Sequence, residues 1–153
     1  MLLKNRQYFI WVAYLIAADQ LSKWLAYKNL GIISTEITSF LSLTFTQNYG
    51  AAFSFLADQE GWQRYFLSGV SLFASLAIIV WMLKTPTKHK ATLVALTLIL
   101  SGAIGNLIDR VNAGFVIDFI DFHYAGWHFP IFNFADIFIS LGAILLISIE
   151  LRK

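Results

Sequence analysis

The sequence predicts an all-α membrane protein: a four-transmembrane-helix bundle with a small extracytoplasmic β-element. Three observations lead there. Of 153 residues, 58% are hydrophobic and only 13% charged, against about a quarter charged in a soluble domain; the mean hydropathy is +0.67. The apolar residues gather into four segments separated by polar connections. The charges, finally, sort by the side of a membrane on which they would fall. Such a composition excludes a disordered chain, a nucleic-acid module and an ordinary cytosolic enzyme. A net charge of +2 is too small to imply a polyanionic partner.

The first span is expected over residues 8–27. Its apolar part ends at Ala18, and the helical pattern continues through Asp19 and Lys23. A cleaved signal peptide would need a small-residue cleavage site where those two charges stand, so the segment reads as retained. The connection 28–64 follows. Residues 35–45 alternate loosely and are rich in Ile, Thr and Phe, predicting short strands. Asn48-Tyr49-Gly50 is a turn signal, with Ala51-Ala52-Phe53-Ser54-Phe55 after it. Trp62 and Tyr65 suit interfacial anchors.

Residues 65–83 and 91–108 are runs of 19 and 18 residues without a charge, close to the roughly 20 needed to cross a bilayer as a helix. The connection 109–132 separates them from a last span at 133–150. His123, Tyr124, Trp127 and His128 in that connection read as a wet interfacial belt. There are no repeats or low-complexity stretches, so residues 1–153 form one domain.

Lys4, Arg6, Lys84, Lys88, Lys90, Arg152 and Lys153 flank the spans on one side, with Glu150 as the single acid there. The other side holds Lys23, Lys28, Arg64 and Arg110 together with eight acids. By the positive-inside rule both termini and the loop 84–90 are cytoplasmic. The two longer connections then face outward.

Ionisable groups within spans cost several kcal/mol unless paired or wet, so each needs a reason. Asp19 and Lys23 stand i, i+4 with the acid first, which favours an ion pair. Asn106, Asp109 and Arg110 close the third span, and Asn133 with Asp136 open the fourth. For Asp19 with Lys23, and Asp109 with Arg110, the expected role is structural: holding helices together. Asp118 and Asp136 differ, since each lies among aliphatic and aromatic residues with no Lys or Arg within five positions. Burial raises a carboxylate's pKa, and two neighbouring carboxylates resist ionising together. Sharing a proton, one can activate water while the other polarises a scissile carbonyl. Spacing alone leaves a catalytic dyad and a structural polar cluster both open.

Other chemistries find less support. Zero cysteines exclude disulfides, thiolate metal sites and cysteine nucleophiles. No His-Glu-x-x-His is present, and outer histidines five apart make no helical ligand pair. No Gly-x-Ser-Gly places a serine nucleophile, and Ser22 next to Lys23 points another way. Gly102 and Gly105 mark close helix packing.

Five stretches together resemble the bacterial lipoprotein signal peptidases, the type II signal peptidase family of intramembrane aspartic proteases. They are Asp19-Gln20-Leu21-Ser22-Lys23, Asn48-Tyr49-Gly50-Ala51-Ala52-Phe53, Gly105-Asn106-Leu107-Ile108-Asp109-Arg110, Val116-Ile117-Asp118-Phe119 and Phe132-Asn133-Phe134-Ala135-Asp136. They occur in the family's order and cover essentially the whole chain. The resemblance implies that Asp118 and Asp136 are catalytic. It implies that Asn48, Gly50, Asn106, Arg110, Asn133 and Ala135 bind substrate or support the site, and that Asp19, Lys23 and Asp109 are structural. It further implies diacylglyceryl-modified prolipoproteins as substrates, cut just before the lipidated cysteine, and membrane lipids as neighbours. No metal, cofactor or nucleic acid enters; the expected state is a monomer in the bacterial inner membrane. The rival readings are a small transporter or channel subunit, whose acids would sit near the midplane, and a non-catalytic scaffold using the acids as glue.

Overall fold

The computed structural model describes residues 4–31, 33–50 and 61–152. Helices occupy all four apolar segments: α1 Arg6–Asn29, α2 Trp62–Lys84, α3 Lys90–Asn112 and α4 Phe134–Glu150. Strands β1 Thr35–Thr38 and β2 Leu41–Asn48 lie between α1 and α2, and β3 Val116–Tyr124 and β4 Trp127–His128 between α3 and α4. Among the described residues, α2 and α3 are long and apolar enough to cross a membrane. By the same measure α1, which carries Asp19 and Lys23, and α4, with 17 residues, do not qualify.

α3 is the central helix, and α1, α2 and α4 each pack chiefly against it. Glycines set how closely α4 approaches. A Cβ on Gly102 would run into the Ala135 carbonyl and Ile139, and one on Gly142 into the Ala95 carbonyl and Ile99. Near the basic ends of the helices, Tyr8 and Val12, Met82, and Leu93, Leu96 and Leu100 form the buried apolar core. Asn5 closes that end by donating Nδ2 to the carbonyls of Met82 (2.7 Å) and Thr85 (2.9 Å).

The distribution of polarity is inverted relative to a protein in water. Asp19, Lys23 and Asn133 are no more than 1% exposed, whereas Trp11, Tyr14, Phe73, Leu76, Ile144 and Ile147 are each more than half exposed. Lipid, not water, is the solvent that tolerates this surface.

At the other end of the bundle the four strands form one antiparallel sheet in the order β1-β2-β3-β4. The β-element is therefore larger than its sequence suggests, and the label all-α understates it. Only β1 and β2 fall near the expected strands at 35–45; β3 and β4 come from the second connection. β3 escapes a strand reading because it shows no alternation. Val116, Asp118, Phe119 and Asp121 are all buried, on both faces of the strand. The β3–β4 turn has Ala125 at φ 50° and Gly126 at φ 83°, the pair of positive values that a two-residue hairpin demands. Residues 51–55, which follow the expected turn at Asn48-Tyr49-Gly50, and Lys153 lie outside the described residues.

Candidate active site

Antiparallel pairing sets Thr46 opposite Asp118 and Asn48 opposite Val116. The end of the first connection thus lies against the start of the second. From there Asn48 donates Nδ2 to Asp118 Oδ2 at 2.9 Å. Asp118 is 2% exposed, and its Oδ1 accepts the Nδ2 of Asn133 at 2.6 Å.

Asn133 is also the N-cap of α4. Its Oδ1 accepts the Asp136 backbone N–H at 3.0 Å, while Asp136 Oδ2 accepts the Asn133 N–H at 3.3 Å. This reciprocal capping box is worth on the order of 1 kcal/mol to a helix start. Here it fixes Asp136 as well, since the acid at N3 is the candidate functional group. The other oxygen, Asp136 Oδ1, accepts Nδ2 of Asn106 on α3 at 2.9 Å. Asn133 Nδ2 also reaches Asn106 Oδ1 at 3.3 Å. β2, β3, α3 and α4 therefore converge on two carboxylates held by three asparagines, of which Asn133 bonds to both.

Burial pushes the Asp118 carboxyl up to about 7, and the charge of Asp136 acts in the same direction. The amide donors of Asn48 and Asn133 pull it partly back, as does the more distant Lys23 charge. Arg110 is buried beside the pair and donates Nη2 to the Gly50 carbonyl at 3.0 Å. Gly50 in turn donates its N–H to Asn48 Oδ1 at 2.9 Å, holding the asparagine toward Asp118.

A cavity of about 650 Å³ begins at this cluster. Asn48, Asn106, Arg110, Asp118 and Asp136 line its polar part. The rest is largely apolar, with Leu67, Val70, Ile78, Ile99, Ile139 and Leu141 from α2, α3 and α4, together with Val116 and residues 129–132. Volume and character suit a ligand with long apolar chains and one polar reacting centre.

The remaining sequence-selected residues form a second buried cluster. Lys23 Nζ stands 2.9 Å from Asp19 Oδ2 and 2.9 Å from Asp109 Oδ2. Asp109 thus pairs with Lys23 on α1, and its chain neighbour Arg110 turns to Gly50; the expected Asp109–Arg110 unit is divided between two clusters because adjacent helical residues point apart. Asp19 Oδ1 accepts the N–H of Ala135 at 2.9 Å, and Ala135 is fully buried against Gly102.

Sequence reasoning left Gln20 unassigned, although its Nε2 donates to Asp109 Oδ1 (2.9 Å) and the Gly105 carbonyl (3.1 Å). Its place beside Asp19 in the first motif was the available signal. Asp121, likewise unassigned, faces away from the pair and binds His128 Nδ1 at 2.9 Å. His123 and His128 stack with ring centroids 5.2 Å apart.

Residues 11–152 match a family model described as signal peptidase (SPase) II. The chain is 52% identical over 136 residues to the lipoprotein signal peptidase of Polynucleobacter necessarius, covering 88% of this chain and 83% of that protein. It is 46% identical over 150 residues to that of Buchnera aphidicola, covering 95% and 96%. Two solved bacterial membrane enzymes, both determined by the in meso method, share the fold at 32% identity. Their TM-scores are 0.85, over 95% of this chain and 88% of the other, and 0.83, over 96% and 94%. A match across nearly the whole chain, with relatives about half identical and a common membrane fold, places this protein in the signal peptidase II family.

Proposed function

We propose that this chain is an intramembrane aspartic endopeptidase that cleaves diacylglyceryl-modified prolipoproteins just before the lipidated cysteine. Family membership makes it a protease acting on the signal peptides of prolipoproteins. The observation that carries the finer reading is the pair Asp118 and Asp136, two carboxylates on separate elements, joined by asparagines at the head of an apolar cavity.

In this mechanism the pair holds one proton between its carboxyls near neutral pH. The ionised member takes a proton from water, which attacks the scissile carbonyl carbon, while the protonated member donates to the carbonyl oxygen. Collapse of the tetrahedral intermediate breaks the C–N bond, and a proton passes to the leaving amine. Asn48, Asn106 and Asn133 hold the carboxyls in place, and Arg110 fixes Gly50, whose N–H holds Asn48. The acyl chains and the apolar part of the signal peptide enter the cavity, which sets the scissile bond beside the pair. All four helices span the bacterial inner membrane, with both termini cytoplasmic and the sheet at the outer face. No cofactor takes part, and the monomer is sufficient.

The test is cleavage by purified protein in detergent of a prolipoprotein with and without its diacylglyceryl group. The lipidated form is expected to be cut and the unmodified form nearly spared. Asp118→Asn and Asp136→Asn are each expected to lose about 1,000-fold or more in kcat while remaining folded. A chelator is expected to leave the rate unchanged. Wild-type activity in either variant would overturn the dyad.

A further inference from the structure

We infer that Lys23 is a positioning residue for the reaction: by donating to the amide oxygen of Asn106 it obliges that amide to present its NH2 group to Asp136. The inference rests on the proposed Asp118–Asp136 dyad and assigns a role in it to a residue that otherwise reads as an ion-pair partner.

An ammonium group has three N–H donors and no acceptor. Lys23, 1% exposed, spends them on three oxygens, each 2.9 Å away: Asp19 Oδ2, Asp109 Oδ2 and Asn106 Oδ1. The first two contacts neutralise charge. The third does something an ion pair does not require, which is to determine the orientation of a neutral amide. The two ends of an asparagine side chain have nearly the same shape, so only their hydrogen-bond partners decide which way it faces.

With Oδ1 held by Lys23, Nδ2 of Asn106 points at Asp136 Oδ1 at 2.9 Å. Turned over, the amide would set NH2 against the ammonium and oxygen against the Asp136 carboxylate, two repulsive contacts in a site with little water. Asn133 Nδ2 supports the same orientation from 3.3 Å but is committed first to Asp118 Oδ1 at 2.6 Å. Through Asn106 and Asn133 a single donor on α1 reaches both carboxylates. α1 itself contributes no residue to the cavity wall; beside the bond from the Ala135 N–H to Asp19 Oδ1, this relay ties the first helix to the carboxylates.

Removing Lys23 alone also strands two buried acids, so the experiment includes a variant that keeps the cluster's net charge. Full-length protein in detergent would be assayed on a diacylglyceryl-modified prolipoprotein as wild type, Lys23→Met, Lys23→Met with Asp19→Asn, Asn106→Ala, and Lys23→Met with Asn106→Ala. Both Lys23→Met forms are expected to lose about 100-fold in kcat with KM within about twofold, the pattern of a misplaced reacting group. On the Asn106→Ala background, Lys23→Met is expected to cost no more than about twofold further, because the two act as one unit. A third variant, Asn106→Asp, keeps an oxygen for Lys23 and replaces the donor facing Asp136 with another oxygen. It is expected to unfold cooperatively at a lower melting temperature, remain folded at the assay temperature, and lose about 100-fold in kcat.

Multiplicative losses in the combined variant, a change confined to KM, or wild-type kcat in Asn106→Asp would each overturn the inference. If Lys23→Met does not fold by itself, the charge-matched Lys23→Met with Asp19→Asn, compared with and without Asn106→Ala, decides. Asp118→Asn separates the two levels: if it is inactive while the Lys23 and Asn106 losses multiply, the positioning role falls and the dyad stands. An active Asp118→Asn removes both.

Discussion

Asp118 combines two conditions that usually exclude each other, an ionisable side chain and 2% exposure on a strand between apolar neighbours. Its carboxyl is pushed up to about 7 from an ordinary 3.8, by burial first and the Asp136 charge second. Between those two values the folded protein binds a proton that the unfolded chain has released. Stability must therefore fall as pH rises from about 4 to about 7, at up to about 1.4 kcal/mol per pH unit from this group. Thermal unfolding in detergent, followed by tryptophan fluorescence across that range, is expected to show the decline in wild type and a flatter profile in Asp118→Asn. An unchanged slope in the variant would assign the titration to another group. The anomaly at this residue was legible in the sequence, because an acid without a nearby Lys or Arg amid Val, Ile and Phe asks for an explanation. Its donors follow from no local spacing and were named only through the family resemblance: Asn48 is 70 positions away and reaches it through the β2–β3 register.

Elements differ in how plainly their sequences announce them. α2 and α3 follow from uncharged runs, since backbone groups in lipid must be satisfied within the segment. β3 does not, because strands are read from alternation and both of its faces are covered. α4 lies between these cases. Its apolar run was visible, and its first turn serves two functions that share the same atoms: the capping box holds the helix end and aims Asp136. These functions can be separated by substitution at Asn133. Asn133→Ala removes both the cap and the donor to Asp118, and is expected to cost about 1 kcal/mol or more in stability together with most of the activity. Asn133→Ser retains an oxygen for the Asp136 N–H but is too short to reach Asp118. Its melting temperature is expected to lie above that of Asn133→Ala, with activity equally low. Equal melting temperatures would mean that the cap contributes nothing to the fold.

At the scale of the molecule, polar chemistry gathers at one end of the bundle and positive charge at the other. Arg6 at the start of α1, Lys84 at the end of α2 and Lys90 at the start of α3 lie together, as the bonds from Asn5 to Met82 and Thr85 require. The sheet, the dyad candidates and the Lys23 cluster lie at the far ends of the same helices. Lys and Arg resist translocation, so the basic end is expected in the cytoplasm, and the site then faces the side on which exported precursors emerge. The absence of cysteine makes this directly measurable. A cysteine at Ala125, in the β3–β4 turn, is expected to react with a membrane-impermeant maleimide in intact spheroplasts. A cysteine at Lys88, between α2 and α3, is expected to react only after the membrane is broken. The reverse pattern would place the dyad candidates at the cytoplasmic face, where a precursor whose lipidated cysteine lies at the outer leaflet could not present its scissile bond. Orientation is thus a condition of the proposed chemistry, and the same seven basic residues that say nothing about catalysis decide whether Asp118 and Asp136 can meet their substrate.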